Sequence, residues 1–245
     1  MLRKPVVVSV AALERMCRVQ SLGELPVFLR GPVRSVDVDA NADQTERVAD
    51  HAMWAQFKNL GLVDGRGRLD EDALDTLSCL VSAPVRYLAC IVEPQRRWYS
   101  VTVAGSSFES VVARRDGDNV YLRSMRGQSP AYTLINQLPD QPPARYGSVN
   151  LRLDGSDRHR APHDVETLTA LMSQPRQSAG ELYVSVRDHG VYRSNDDRPV
   201  LYADYRSGRM LVTISGGYVS FAPATTDMLV QRLNEEHRLL TEPSW

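Results

Sequence analysis

The hydrophobic pattern passes twice from helical spacing to strand alternation and back to a helix. Val6–Val10 is β-branched and predicts a strand. Ser9 is placed to cap the helix that follows, whose Leu13, Met16 and Cys17 fall at helical spacing until about Leu22-Gly23. Leu25–Leu29 is an apolar, core-filling segment stiffened by Pro26, and Val36–Asp43 reads as a polar loop. A helix starts at about Thr45, where Met53, Phe57 and Leu60 make one apolar stripe and Gly61 provides the stop. Asp64-Gly65 is a turn. Asp70 caps a shorter helix with Leu74, Leu77 and Val81 on its buried face, and Pro84 ends it.

Alternation then predicts four strands, Arg86–Val92, Trp98–Ala104, Phe108–Arg114 and Asn119–Met125, punctuated by Gly105 and Asp116-Gly117. Ser129-Pro130 opens a short helix ending near Leu138, and Pro139, Pro142 and Pro143 mark a boundary. The second cycle has a strand at Tyr146–Leu153, a loop at Asp154–Pro162, a helix at His163–Ser173 and a break at Pro175–Gly180. Strands follow at Leu182–Arg187, Val200–Tyr205, Met210–Ser215 and Tyr218–Ala222, broken by Gly208 and Gly216-Gly217. Pro223 precedes a longer helix from about Thr225 to Leu240. Glycine break, glycine turn, last strand and proline-opened helix recur in the same order, which predicts a repeat with halves 1–139 and 140–245. Antiparallel hairpins with helices at segment ends make the class α+β.

Composition narrows the function. The 245 residues carry a formal net charge of −1, so no overall field attracts nucleic acid or anionic lipid. Lys4 and Lys58 are the only lysines, and every other basic residue is arginine. That bias fits a GC-rich genome better than a nucleic-acid binder, because acids cancel the charge and no long basic run occurs. Cys17, Cys79 and Cys90 are odd in number and far apart, which makes neither a disulfide framework nor a zinc knuckle and fits a reducing compartment. No stretch approaches the ~20 apolar residues of a membrane span. The apolar opening residues, interrupted by Glu14-Arg15, read as a strand and helix of a cytoplasmic protein and not as a leader.

Candidate chemistry is sparse. Ser106-Ser107 and Ser215 lack the G-x-S-x-G setting of a nucleophile elbow. Gly65-Arg66-Gly67 lacks the third glycine, the preceding strand and the lysine of a phosphate loop. His159 and His163, with His189 as a distant third, have a metal-like spacing that Pro162 interrupts. Acidic clusters sit at a helix start or in turns, and no acid/base couple is recognisable. No catalytic residue, metal or cofactor is expected.

Five stretches together resemble the EspG family, cytoplasmic chaperones of type VII (ESX) secretion in mycobacteria and related actinobacteria. They are Leu22-Gly23-Glu24-Leu25-Pro26; Leu60-Gly61-Leu62-Val63-Asp64 with Gly67-Arg68-Leu69-Asp70; Ala83-Pro84; Arg115-Asp116-Gly117-Asp118-Asn119-Val120; and Gly217-Tyr218-Val219-Ser220-Phe221-Ala222-Pro223-Ala224. Each is turn and cap chemistry, and the specificity lies in their order over almost the whole chain. The resemblance implies a single domain over 1–245, with a pseudo-two-fold repeat sharing a central, mostly antiparallel sheet flanked by helices. It implies binding of a PE–PPE heterodimer through the helical tip of the PPE protein, keeping that partner soluble and directing it to its secretion system. It implies no cofactor, no catalysis and no membrane insertion. Relative to the family, Asp140–Ser178 and the Glu93–Arg97 loop are short.

A charged loop tip carrying an aromatic places the expected contact surface on Glu93, Gln95, Arg96, Arg97 and Trp98, with Tyr218 and the polar positions Gln231 and Glu235 of the last helix. Trp98 and Tyr218 could equally pack within the sheet. An enzyme without a recognisable motif and an arginine-based nucleic-acid binder are the alternatives. An exposed edge strand would allow a weak homodimer beside the monomer.

Overall fold

In the computed structural model the described residues are 1–31, 42–94, 98–152 and 162–242. In chain order they form β1 (Val6–Ser9), α1 (Val10–Val19), a 3-10 turn (Val27–Leu29), α2 (Ala42–Asn59), α3 (Glu71–Ser82), β2 (Val85–Val92), β3 (Tyr99–Gly105), β4 (Glu109–Asp116) and β5 (Asn119–Arg126). They continue with α4 (Pro130–Ile135), β6 (Val149–Arg152), α5 (Pro162–Met172), β7 (Arg176–Asp188), β8 (Val191–Ser194), β9 (Val200–Tyr205), β10 (Gly208–Ser215), β11 (Tyr218–Pro223) and α6 (Thr226–Thr241). The class is α+β, a mostly antiparallel sheet flanked by helices. The chain divides into two compact units, Met1–Arg86 with Tyr99–Pro130, and Tyr87–Trp98 with Ala131–Trp245. Most of β2 thus goes with the second unit.

In the first unit β1, β5, β4 and β3 pair antiparallel in that order. Cross-strand partners share a face, so Val6 lies beside Leu122 and Val8 beside Val120, with Ala113 and Val111 continuing the apolar surface. These side chains are buried with Leu13 and Met16 of α1, Met53 and Phe57 of α2, and Leu77 and Leu80 of α3. Each fully buried Leu, Met or Phe removes enough surface from water to contribute about 1.5–3 kcal/mol. The capping residues act as their sequence positions suggest: Ser9 Oγ accepts the Ala12 N–H at 3.3 Å, and Asp70 Oδ1 accepts that of Ala73 at 3.1 Å.

In the second unit the strand order is β2-β7-β9-β10-β11-β6, with β8 paired to β7 alone. Leu171 of α5 packs with Ala144, Ala203, Tyr205 and Met210. Thr225 Oγ1 caps α6 by accepting the Met228 N–H at 3.1 Å, and Leu229 and Leu233 form the buried stripe of that helix.

Several expectations are corrected. The break at Pro175–Gly180 is strand, because β7 runs unbroken from Arg176 apart from a bulge between Arg176 and Ser178. Gly180 is there for close approach: a Cβ on it would lie 2.5 Å from the Tyr202 ring and 2.9 Å from the Cys90 carbonyl oxygen. Strand β8 was not expected at all. It is made by a two-residue turn in which His189 and Gly190 both have positive φ, 47° and 86°, the geometry of a tight hairpin. Phe108 lies outside β4 and is 87% exposed. The strand expected at Tyr146–Leu153 forms only over Val149–Arg152. Of the loop expected at 36–43, residues 42 and 43 belong to α2, and the remainder lies outside the described residues. The loop at 154–162 lies outside them too, except Pro162, which opens α5.

Candidate functional site

The expected contact residues fall into three groups, all in the second unit. Glu93 and Trp98 flank the connection after β2; Gln95, Arg96 and Arg97 between them lie outside the described residues. Trp98 is 47% exposed and Val92, at the end of β2, 53%. Two large apolar side chains, one at each end of the segment that follows β2, therefore face solvent.

Tyr218 opens β11 opposite Ser215 of β10 and Arg152 of β6. It is 43% exposed, and the Arg152 guanidinium lies 5.7 Å from its ring centroid. The ring is neither buried in the sheet nor left loose, since a cation over its face limits its rotamers.

Gln231 and Glu235 stand one turn apart on α6, and Gln231 Nε2 donates to Glu235 Oε1 at 3.3 Å. Arg232 Nη1 donates to the same carboxylate at 2.6 Å. Both residues line an open groove of about 430 Å³ whose other walls are Asp227, Val230, Asn234 and Arg238. The sequence reading missed those four. Their spacing at i, i+3, i+4, i+7, i+8 and i+11 from Asp227 was the available signal, since it marks one helix face opposite the buried Leu229 and Leu233. Acids stand at both ends of the Asp227–Glu235 span, a base lies beyond it, and Val230 and the aliphatic stems of the polar side chains line the face between.

The residues weighed for catalysis hold other roles. Burial raises the Cys17 thiol to about 12 and the Cys79 thiol to about 11, and raises that of Cys90, so all three are poor nucleophiles. Cys79 Sγ also donates to the Ala104 carbonyl. Ser106 Oγ accepts the Phe108 N–H inside a turn. In the Gly65-Arg66-Gly67 loop, the Arg66 and Arg68 N–H groups already donate to Asp64 Oδ1, at 2.8 and 2.9 Å, and that carboxylate repels a phosphate. His159 lies outside the described residues, and His189 is exposed beside Asp188 at a turn. Among the described residues, no group of three or more His, Cys, Asp or Glu side chains is placed to hold a metal ion. Among them also, no helix is long and apolar enough to cross a membrane.

The family model described as the EspG family matches residues 9–235. The chain belongs to the EspG family. A solved structure titled as the Mycobacterium tuberculosis type VII secretion system chaperone EspG5 in complex with the PE25–PPE41 dimer has a similar fold, with a TM-score of 0.69. At 12% identity, the match covers 99% of this EspG chain and 99% of that one. No curated protein matches the sequence.

Proposed function

We propose that this EspG protein is a cytoplasmic chaperone of a type VII secretion system. It binds the helical tip of a PPE protein within a PE–PPE heterodimer, keeps the pair soluble and directs it to its secretion system. Binding and release are its whole chemistry, and no bond is made or broken. The reading rests on one observation above all: the fold matches, over 99% of both chains, a type VII chaperone solved with a PE–PPE dimer.

The contact surface comprises Glu93, Gln95, Arg96, Arg97 and Trp98, then Tyr218, then the α6 groove with Gln231 and Glu235. Exposed Val92 and Trp98 supply apolar anchors, and the amides and charges of α6 supply a polar rim, the division of labour found in transient protein interfaces. The test is co-purification of the tagged chain with the PE–PPE pair encoded in the same genome, followed by a sizing column. A single ternary peak is expected, and R96E/R97E should abolish it. Separate elution of the wild-type chain from every such pair would overturn the reading.

A further inference from the structure

A second surface in the same unit carries exposed arginines around one turn. Arg176 is the register partner of Tyr205, where β7 meets β9. Arg206 follows Tyr205 in the turn to β10, and the Arg145 N–H donates to the Ser207 carbonyl at 3.2 Å. The backbones of three exposed arginines therefore meet at one four-residue turn, Tyr205-Arg206-Ser207-Gly208. Among the described residues, no carboxylate pairs with any of their guanidinium groups. Asp140, near Arg145 in sequence, is exposed and pairs with none of them. Asp204, the acid adjacent to the turn, is buried and already receives hydrogen bonds from Arg209 and Ser178.

The backbone carrying the cluster is pinned from several directions. Gln174 Oε1 accepts the Ser207 N–H at 3.0 Å, while Gln174 Nε2 donates to Tyr146 Oη at 2.9 Å. The Ala144 N–H donates to the Arg209 carbonyl at 2.9 Å. Gly208 has φ 120° and packs so closely on Pro143 and Ala144 that a Cβ would lie 2.6 Å from both the Pro143 carbonyl oxygen and the Ala144 Cα. Ser207 Oγ is buried there without a hydrogen-bond partner. The pinned backbone confines the ordering cost of binding to the side chains themselves.

We propose that Arg145, Arg176 and Arg206 form a docking site for an acidic peptide segment of a protein partner. A peptide fits better than nucleic acid because the basic surface spans a single turn, whereas a nucleic-acid footprint follows a stripe of phosphates and a chain of net charge −1 supplies no long-range field. Guanidinium forks bind carboxylates in a bidentate manner, so glutamate and aspartate side chains suit the site.

The experiment is fluorescence anisotropy with a fluorescein-labelled deca-glutamate at low salt, set against an equally charged oligothymidylate. The wild-type chain should bind the peptide, and R145A/R176A/R206A should weaken binding by about tenfold or more, for three lost charge-assisted contacts. R3A/R68A/R126A removes the same charge from arginines already paired with Asp72, Asp64 and Glu109, and should leave binding within about twofold. The cluster side chains are exposed and pair with no carboxylate among the described residues, so the variant should melt with the wild type, and R206A alone gives a milder check. Equal losses in the two triple variants, no peptide binding by the wild type, or tighter binding of the oligothymidylate would each overturn the proposal.

Discussion

Arg209 grips Asp204 with two parallel hydrogen bonds, Nε to Oδ1 at 2.7 Å and Nη2 to Oδ2 at 2.8 Å, and both side chains are buried. Ser178 Oγ donates to the same carboxylate at 2.6 Å, Arg209 Nη2 also reaches the Pro139 carbonyl, and the guanidinium lies 4.8 Å from the Tyr202 ring centroid. One ion pair thus ties β7, β9, β10 and the proline-rich segment after α4 together. Removing one partner leaves a buried charge uncompensated, which costs about 3–5 kcal/mol. R209M and D204L should each lower the unfolding free energy measured by chemical denaturation by an amount in that range. The double variant should recover much of the loss, because an apolar pair of similar volume carries no desolvation penalty.

His237 sits in the last turns of α6 with Nδ1 3.1 Å from Tyr87 Oη and its ring edge-on to the phenol. Burial lowers its pKa below the usual 6.5. The folded chain then binds fewer protons at this site than the unfolded chain between the two values. The stability from neutral His237 is fully present above about pH 6.5 and falls as the pH drops toward the lowered folded value. Melting temperature should therefore decline between pH 7.5 and 5.5, and H237Q should decline less over the same interval. Identical pH slopes for the two proteins would exclude this histidine as a source of the acid sensitivity.

Gly180 gives a sharper test of packing. Alanine would place a methyl 2.5 Å from Tyr202 Cε1, and the other near neighbour is the Cys90 carbonyl, which belongs to backbone and cannot turn aside. Overpacking of this kind typically costs about 1–3 kcal/mol. G180A should lose stability in that range, and G180A/Y202L should regain part of it because the ring is the movable obstacle. At Gly65, where a Cβ meets nothing within 4 Å, alanine should be nearly silent.

The glycines also show where the sequence was readable. Local chemistry is legible because the residue that causes it is adjacent: Ser9, Asp70 and Thr225 cap the helices that follow them, and Gly117 and Gly216-Gly217 make turns. Gly180 looks the same in sequence, yet its cause is Tyr202 on a neighbouring strand, a contact that no local pattern encodes. His189 hid a turn for a related reason, since a non-glycine residue at positive φ is uncommon enough to be passed over. Gln231 and Glu235 were found as polar positions of a helix, but Asp227, Asn234 and Arg238 were missed. A groove is a property of a face, and a face is legible only once the buried stripe has been fixed. The arginine cluster was illegible altogether, because Arg145, Arg176 and Arg206 come from three separate segments.

The α6 groove separates recognition from stability. Asp227 is exposed and Glu235 half-buried, and the buried stripe of the helix is Leu229 and Leu233 on its opposite side. Charge reversal at the groove should therefore leave the fold intact, losing only the surface contacts of Glu235 with Arg232 and Gln231 and the favourable first-turn placement of Asp227, each at most about 1 kcal/mol. If α6 touches the PPE tip, D227K/E235K should slow or speed association according to the tip's charge and shift affinity for the PE–PPE pair by about tenfold. Titration calorimetry measures that shift, and a thermal melt of the same variant checks that the fold is intact. An unchanged affinity in a fully folded variant would remove α6 from the contact surface and leave recognition to the β2–β3 connection and Tyr218. Lost affinity with an unchanged melt would make this helix face part of the grip on the partner.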